Sequence, residues 1–220
     1  SFDVLQEKIR EKANPTVAGL DARVEYVPPH ILKKHTDRLG ETLEAAAEAI
    51  CEFDCGLIDA LYDVVPAVKP QAAYFEMLGW RGMKVMEDVM AYAKNKGLYV
   101  IADIKRGDIG TTATAYAEGW LGATQVGSAS LSAFDADCVT LNGYMGSDAI
   151  NPFLNECVAR GKSAFVLAKT SNPSSAELQD MVAGDRSVYT VMGDLIEQWG
   201  KGTEGACGYQ ALGAVVGATH

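Results

Sequence analysis

A run of five apolar residues that ends in charge limits what this chain can fold into. Leu98-Tyr-Val-Ile-Ala102 leads directly into Asp-Ile-Lys-Arg-Gly-Asp-Ile-Gly-Thr-Thr112. The apolar part is too short for a stable helix and suits a strand buried on both faces, as in a parallel sheet. Side chains alternate along a strand, so Asp103 and Lys105 are expected on the face of Ile101, with Ala102 and Ile104 on the other. Gly107 breaks the strand, Asp108 stands on the following turn, and Ala113-Thr-Ala-Tyr-Ala-Glu118 reads as a helix. A carboxylate and an ammonium on one inward face cost too much to serve as core filler. Charges at the C-terminal end of a parallel strand are the usual mark of a site, although a buried structural ion pair has the same pattern.

The rest of the chain repeats that design. Residues 1-13 suit a short amphipathic helix. Thr16-Val-Ala-Gly-Leu-Asp21 is a compact strand ending in a carboxylate, which could equally be a helix N-cap. Pro28-Pro29 break the chain, and Gly40 to Leu61 carries a wide apolar helical stripe. Val64-Val-Pro-Ala-Val-Lys69-Pro-Gln71 is a strand whose Pro66 argues for an irregular start. Tyr74 to Asn95 reads as one long helix closed by Gly97, with its methionines in the core. Further strands are expected over Ala136–Asn142, Ser163–Ser171 and Ala214–Thr219, with helices over about 148–159 and 187–199. Strands alternating with helices imply parallel pairing through right-handed crossovers. The polar residues at strand ends then share the working face of a (β/α)8 barrel or of an open doubly wound sheet. No G-x-G-x-x-G sequence stands between an expected strand and a helix, and no G-x-x-x-x-G-K-[ST] sequence occurs, which favours the barrel.

The motif Asp103-x-Lys105-x-x-Asp108-Ile109, with Thr112 three residues on, resembles the orotidine 5'-monophosphate decarboxylase family. The longer string from Asp103 to Ala113 is similar to its bacterial, longer-chain branch, and Val68-Lys-Pro-Gln71 and Thr170-Ser-Asn-Pro173 recur in the expected order. The resemblance implies an α/β fold of the (β/α)8 TIM-barrel type and a cofactor-free lyase without a metal. It implies Lys69, Asp103, Lys105 and Asp108 as an alternating catalytic row, with Lys105 stabilising a carbanion and delivering its proton. Asp21 and Thr112 would hold ribose, Ser171 the pyrimidine, and Asn142 is a further substrate-binding candidate. Asp108, Ile109 and Thr112 would complete the partner's site in a homodimer. Six of eight strands are visible. The strand–helix units that in relatives carry a Pro-Gly-x-Gly-x-Gln loop and a phosphate-gripping Arg are expected to be missing from a single, C-terminally incomplete domain over residues 1–220.

Composition excludes other classes. The formal charge of −10 repels a polyphosphate backbone, so nucleic acid is not an expected partner. No apolar run approaches the ~20 residues of a membrane span, and no signal-peptide pattern opens the chain, which suggests a cytoplasmic protein. Five Cys without C-x-x-C spacing read as reduced thiols. His30, His35 and His220 lie near no nucleophile, which argues against Ser-His or Cys-His catalysis, and they read as solvent-facing. The alternatives are a Mg-dependent sugar-phosphate decarboxylase or aldolase of the same superfamily, and a catalytically silent barrel fragment acting as a binding module.

Overall fold

The computed structural model describes residues 1–218, so His220 and the expected strand end at Thr219 lie outside the described residues. Two compact units make up the chain: Val4–Ile104, and Ser1–Asp3 together with the residues from Lys105 onward.

The first unit takes most of helix α1 (Phe2–Lys12), then strand β1 (Val17–Leu20), helices α2 (Pro29–Leu39) and α3 (Leu43–Leu61), and strand β2 (Ala67–Pro70). Helices α4 (Ala72–Glu76) and α5 (Trp80–Asn95) follow, and strand β3 (Tyr99–Arg106) closes the unit at Ile104 and continues into the next. The strands are parallel. Val17 to Leu20 pair in register with Ala67 to Pro70, and Ala67 and Val68 pair with Tyr99 and Val100. Pro66 stands just before β2 and contributes only its carbonyl, which accepts from Tyr99 N at 3.0 Å, as a residue without an N–H must. Thr42 caps α3, its Oγ1 accepting from Ala45 N at 3.2 Å. The small Ala45 and Ala49, with Ile50 and Ile58, form the buried stripe of α3, and Met86 and Met90 of α5 are core residues as expected.

Two expectations fail here. Helix α2 was not foreseen, and its His35 is buried, with Nδ1 3.0 Å from Glu48 and Nε2 2.7 Å from Glu52 of α3. The helix expected over Tyr74–Asn95 is two helices. Gly79, at φ +66°, turns the chain between them. Gly82 then passes so near α4 that a Cβ there would lie 1.8 Å from the Phe75 carbonyl oxygen.

The second unit continues with α6 (Gly110–Trp120), a hairpin of β4 (Thr124–Val126) and β5 (Ala129–Leu131), β6 (Cys138–Leu141), α7 (Ser147–Arg160) and β7 (Ser163–Lys169). A second hairpin, β8 (Val182–Ala183) with β9 (Arg186–Ser187), precedes α8 (Val188–Gly200) and β10 (Leu212–Val216). Strand β7 pairs in parallel with β6 on one side and β10 on the other. Val139, Leu141, Ala164 and Val166 of the strands and Ile150 and Phe153 of α7 are all fully buried. Neither hairpin is expected from the sequence, because strands of two or three mostly exposed residues leave no hydrophobic period to read.

Gly82→Ala tests the α4–α5 approach. Because backbone rather than a flexible side chain opposes the new methyl, overpacking should cost about 1–3 kcal/mol in urea-unfolding free energy. A change within about 0.5 kcal/mol would show that α4 shifts freely.

Candidate active site

In the first unit, the candidate side chains gather where the parallel strands end. In-register pairing of β1 with β2 sets Gly19 beside Lys69 and Leu20 beside Pro70, and Gln71 N donates to the Leu20 carbonyl at 3.3 Å. Asp21 follows at once, exposed, with its carboxylate folded back over Gly19. Asp103, in β3, is only 4% exposed. Its Oδ2 accepts from Lys69 Nζ at 2.7 Å and from Gln71 Nε2 at 2.9 Å, and Gln71 also forms a parallel bridge to Asp103 through the backbone. A buried carboxylate with an ammonium and an amide donor on one oxygen is fixed in direction. The expected Lys69–Asp103 pairing is therefore present. The Val68-Lys-Pro-Gln71 motif assigns Gln71 no role; its position one residue past the strand is the signal that could have given one.

In the second unit, Lys105 departs from the simple strand. It is exposed, and its backbone lies at φ +47°, a left-handed conformation that costs a non-glycine residue roughly 1–2 kcal/mol. The alternation that would put Lys105 on the face of Asp103 ends there. Its N–H donates to the buried Thr140 Oγ1 at 3.0 Å, so a threonine inside apolar β6 anchors the turn. Asn142 N donates to the Arg106 carbonyl at 2.8 Å, and a Cβ on Gly107 would come within 2.9 Å of the Asn142 carbonyl oxygen. The end of β3 is thus laid tightly on the end of β6. Asn142 itself is exposed, its Oδ1 accepting from Tyr144 N at 3.0 Å. Asp108 Oδ1 accepts from Ile109 N at 2.8 Å at the start of α6, where Ile109 is 53% exposed and Thr112 is exposed. Ser171 stands exposed just beyond β7. Thr140 went unnoticed because a single Thr in a strand carries no spacing signal.

Residues 44–220 match the model of the orotidine 5'-phosphate decarboxylase / HUMPS family. A relative from Caldicellulosiruptor saccharolyticus, named orotidine 5'-phosphate decarboxylase, is 40% identical over 99% of this chain and 72% of its own length. The chain belongs to the orotidine 5'-phosphate decarboxylase / HUMPS family. A relative of the same name from Rhodopirellula baltica is 39% identical over 98% of this chain and 70% of its own. The solved Leishmania donovani OMP decarboxylase superposes with a TM-score of 0.76 at 31% identity, over all of this chain and 71% of that one. The fold class is accordingly α/β with parallel strands, of the (β/α)8-barrel type expected from the strand–helix alternation.

Within this family member one acidic residue stands apart. Asp54, on α3, is fully buried, and neither carboxyl oxygen has a hydrogen-bond partner. Burial, and to a smaller extent the negative charge of Asp21, push its pKa from near 3.8 up to about 7. The folded chain therefore keeps this proton up to about pH 7, while the unfolded chain releases it near 3.8. Between those values folding must take up a proton, so stability falls as pH rises and levels off above about 7. At 1.36 kcal/mol per pKa unit the loss approaches about 4 kcal/mol. Unfolding free energy measured from pH 4 to 8 should decline less in Asp54→Asn than in the parent; parallel curves would show that Asp54 carries no such shift.

Proposed function

We propose that this chain decarboxylates orotidine 5'-monophosphate to uridine 5'-monophosphate and CO2 in pyrimidine synthesis, as a cofactor-free carbon–carbon lyase. The observation that carries the reading is the end of β3. There a buried, doubly hydrogen-bonded Asp103 is followed two residues later by an exposed Lys105 on a strained turn. Relatives named for this activity match the chain over nearly its whole length.

Loss of CO2 breaks the bond between a ring carbon and its carboxylate carbon and leaves the electron pair on the ring. In this reading the Lys105 ammonium faces the developing carbanion, stabilises it more than it stabilises the substrate, and then donates the proton. The neutral amine recovers its proton from solvent. Lys69 holds Asp103 in place, and the departing carboxylate lies beside Asp103. Backbone strain at Lys105 fits this role, since such conformations persist where the surroundings enforce them for function. Asp21 and Thr112 hold the ribose, Ser171 contacts the pyrimidine, and Asn142 lines the substrate. Asp108, Ile109 and Thr112 serve the site of a second copy in a homodimer; an apolar Ile109 left open at a turn suits burial against such a copy. No described helix is long and apolar enough to cross a membrane, and we place the enzyme in the cytosol.

Lys105→Ala should lower turnover at least ~10³-fold, because charge stabilisation and the proton source vanish together. An ultraviolet assay reads this directly, and activity within tenfold of the parent would sink the assignment. Sharing of sites has its own test. Mixing inactive Lys105→Ala chains with inactive Asp108→Ala chains should restore some activity through heterodimers. Demonstrated subunit exchange without recovery would refute it.

A further inference from the structure

The segment after β7 carries Ser171 and is fastened by side chains at its root. Lys169, the last residue of β7, is 6% exposed. Its Nζ donates to Asp180 Oδ1 at 2.6 Å and to Ser175 Oγ at 3.2 Å, and lies 5.5 Å from the centre of the Tyr189 ring. Both hydrogen-bond partners belong to the segment between β7 and α8. Burying an ammonium costs several kcal/mol before its partners repay it, and an apolar side chain would finish the strand at no such cost. A second tie acts one residue later. Thr170 N donates to Gln179 Oε1 at 2.8 Å, while Gln179 Nε2 donates to Thr170 Oγ1 at 2.7 Å. Thr170 Oγ1 in turn donates to Asn172 Oδ1 at 2.6 Å. Both neighbours of Ser171 are thereby held, and Ser171 is left exposed. Lys169 and Asp180 also line a cavity of about 450 Å³ beside Val216 and Gly217 at the end of β10, a volume in the range of ligand sites.

We propose that Lys169 and Gln179 are positioning residues, a two-point clamp that presents Ser171 to the pyrimidine ring of the nucleotide. The inference rests on the role given to Ser171 above. Ordering the segment before substrate arrives removes an entropy cost from binding, so loosening it should appear in KM rather than in the chemical step.

The test compares Lys169→Met, Lys169→Arg, Gln179→Leu, Ser171→Ala and the double variant Lys169→Met/Ser171→Ala. Readouts are KM and kcat for orotidine 5'-monophosphate and the rate of proteolytic cutting within residues 171–187. Ser171→Ala should raise KM about tenfold, which is 1.4 kcal/mol. Lys169→Met and Gln179→Leu should raise KM by a similar factor, with kcat within threefold and faster cutting. Lys169→Arg should restore KM to within about threefold, since a guanidinium still reaches a carboxylate. The double variant should be no worse than Ser171→Ala alone, the non-additivity of residues acting through one contact. If Ser171→Ala raises KM while Lys169→Met and Gln179→Leu lower only thermal stability, the clamp is refuted and the Ser171 role stands. If Ser171→Ala leaves KM unchanged, both fall. Should Lys169→Met not fold, Gln179→Leu decides alone, and unchanged KM in that variant overturns the proposal.

Discussion

The ion pair between Lys69 and Asp103 is the constraint to which the first unit is fitted. Asp103 has almost no solvent, and Lys69 keeps about a third of its side chain exposed. Removing either partner would strand the other, and a buried pair broken on one side typically costs 3–5 kcal/mol. The 2.7 Å contact needs β2 and β3 to run in parallel with a fixed register, since a slip of one residue would turn Lys69 to the opposite face. Ala67 and Val68 set that register against Tyr99 and Val100, and Gln71 closes it with a side-chain and a backbone contact to the same aspartate.

Charge is handled differently elsewhere in the molecule. Asp103 is matched by two donors, whereas Asp54 is buried without a partner and keeps its proton near neutrality. One carboxyl is fixed by its donors, and the other, buried without any, is held neutral. Lys105 stores its cost in the backbone instead, at a positive φ that the contacts of β3 with Thr140 and Asn142 enforce. Lys169 is buried like Asp103 and, like it, is matched by an oppositely charged side chain, Asp180.

Much of this was legible from residue order. Short apolar runs ending in Asp or Lys marked β1, β2 and β3, because strands buried on both faces admit only apolar side chains until their ends. The Asp-x-Lys-x-x-Asp spacing pointed to the family that the comparisons support, and Val-Lys-Pro-Gln placed Lys69 at a strand end. Other features were illegible for physical reasons. The break between α4 and α5 depends on how near Gly82 approaches the Phe75 carbonyl, a distance between turns rather than a periodicity. Residue order reads His35 as a surface residue, because nothing in it assigns α2 a buried face.

Sequence by itself determined the alternation of strands and helices, the family, and the residue types waiting at each strand end, because hydrophobic period and local chemistry are properties of neighbours along the chain. Tertiary structure alone decided which donors meet Asp103, that Lys105 leaves the pleat, that Asp54 is without a partner and that Lys169 reaches forward to Asp180. Each of those depends on register and burial, and these exist only once segments distant in sequence have packed together.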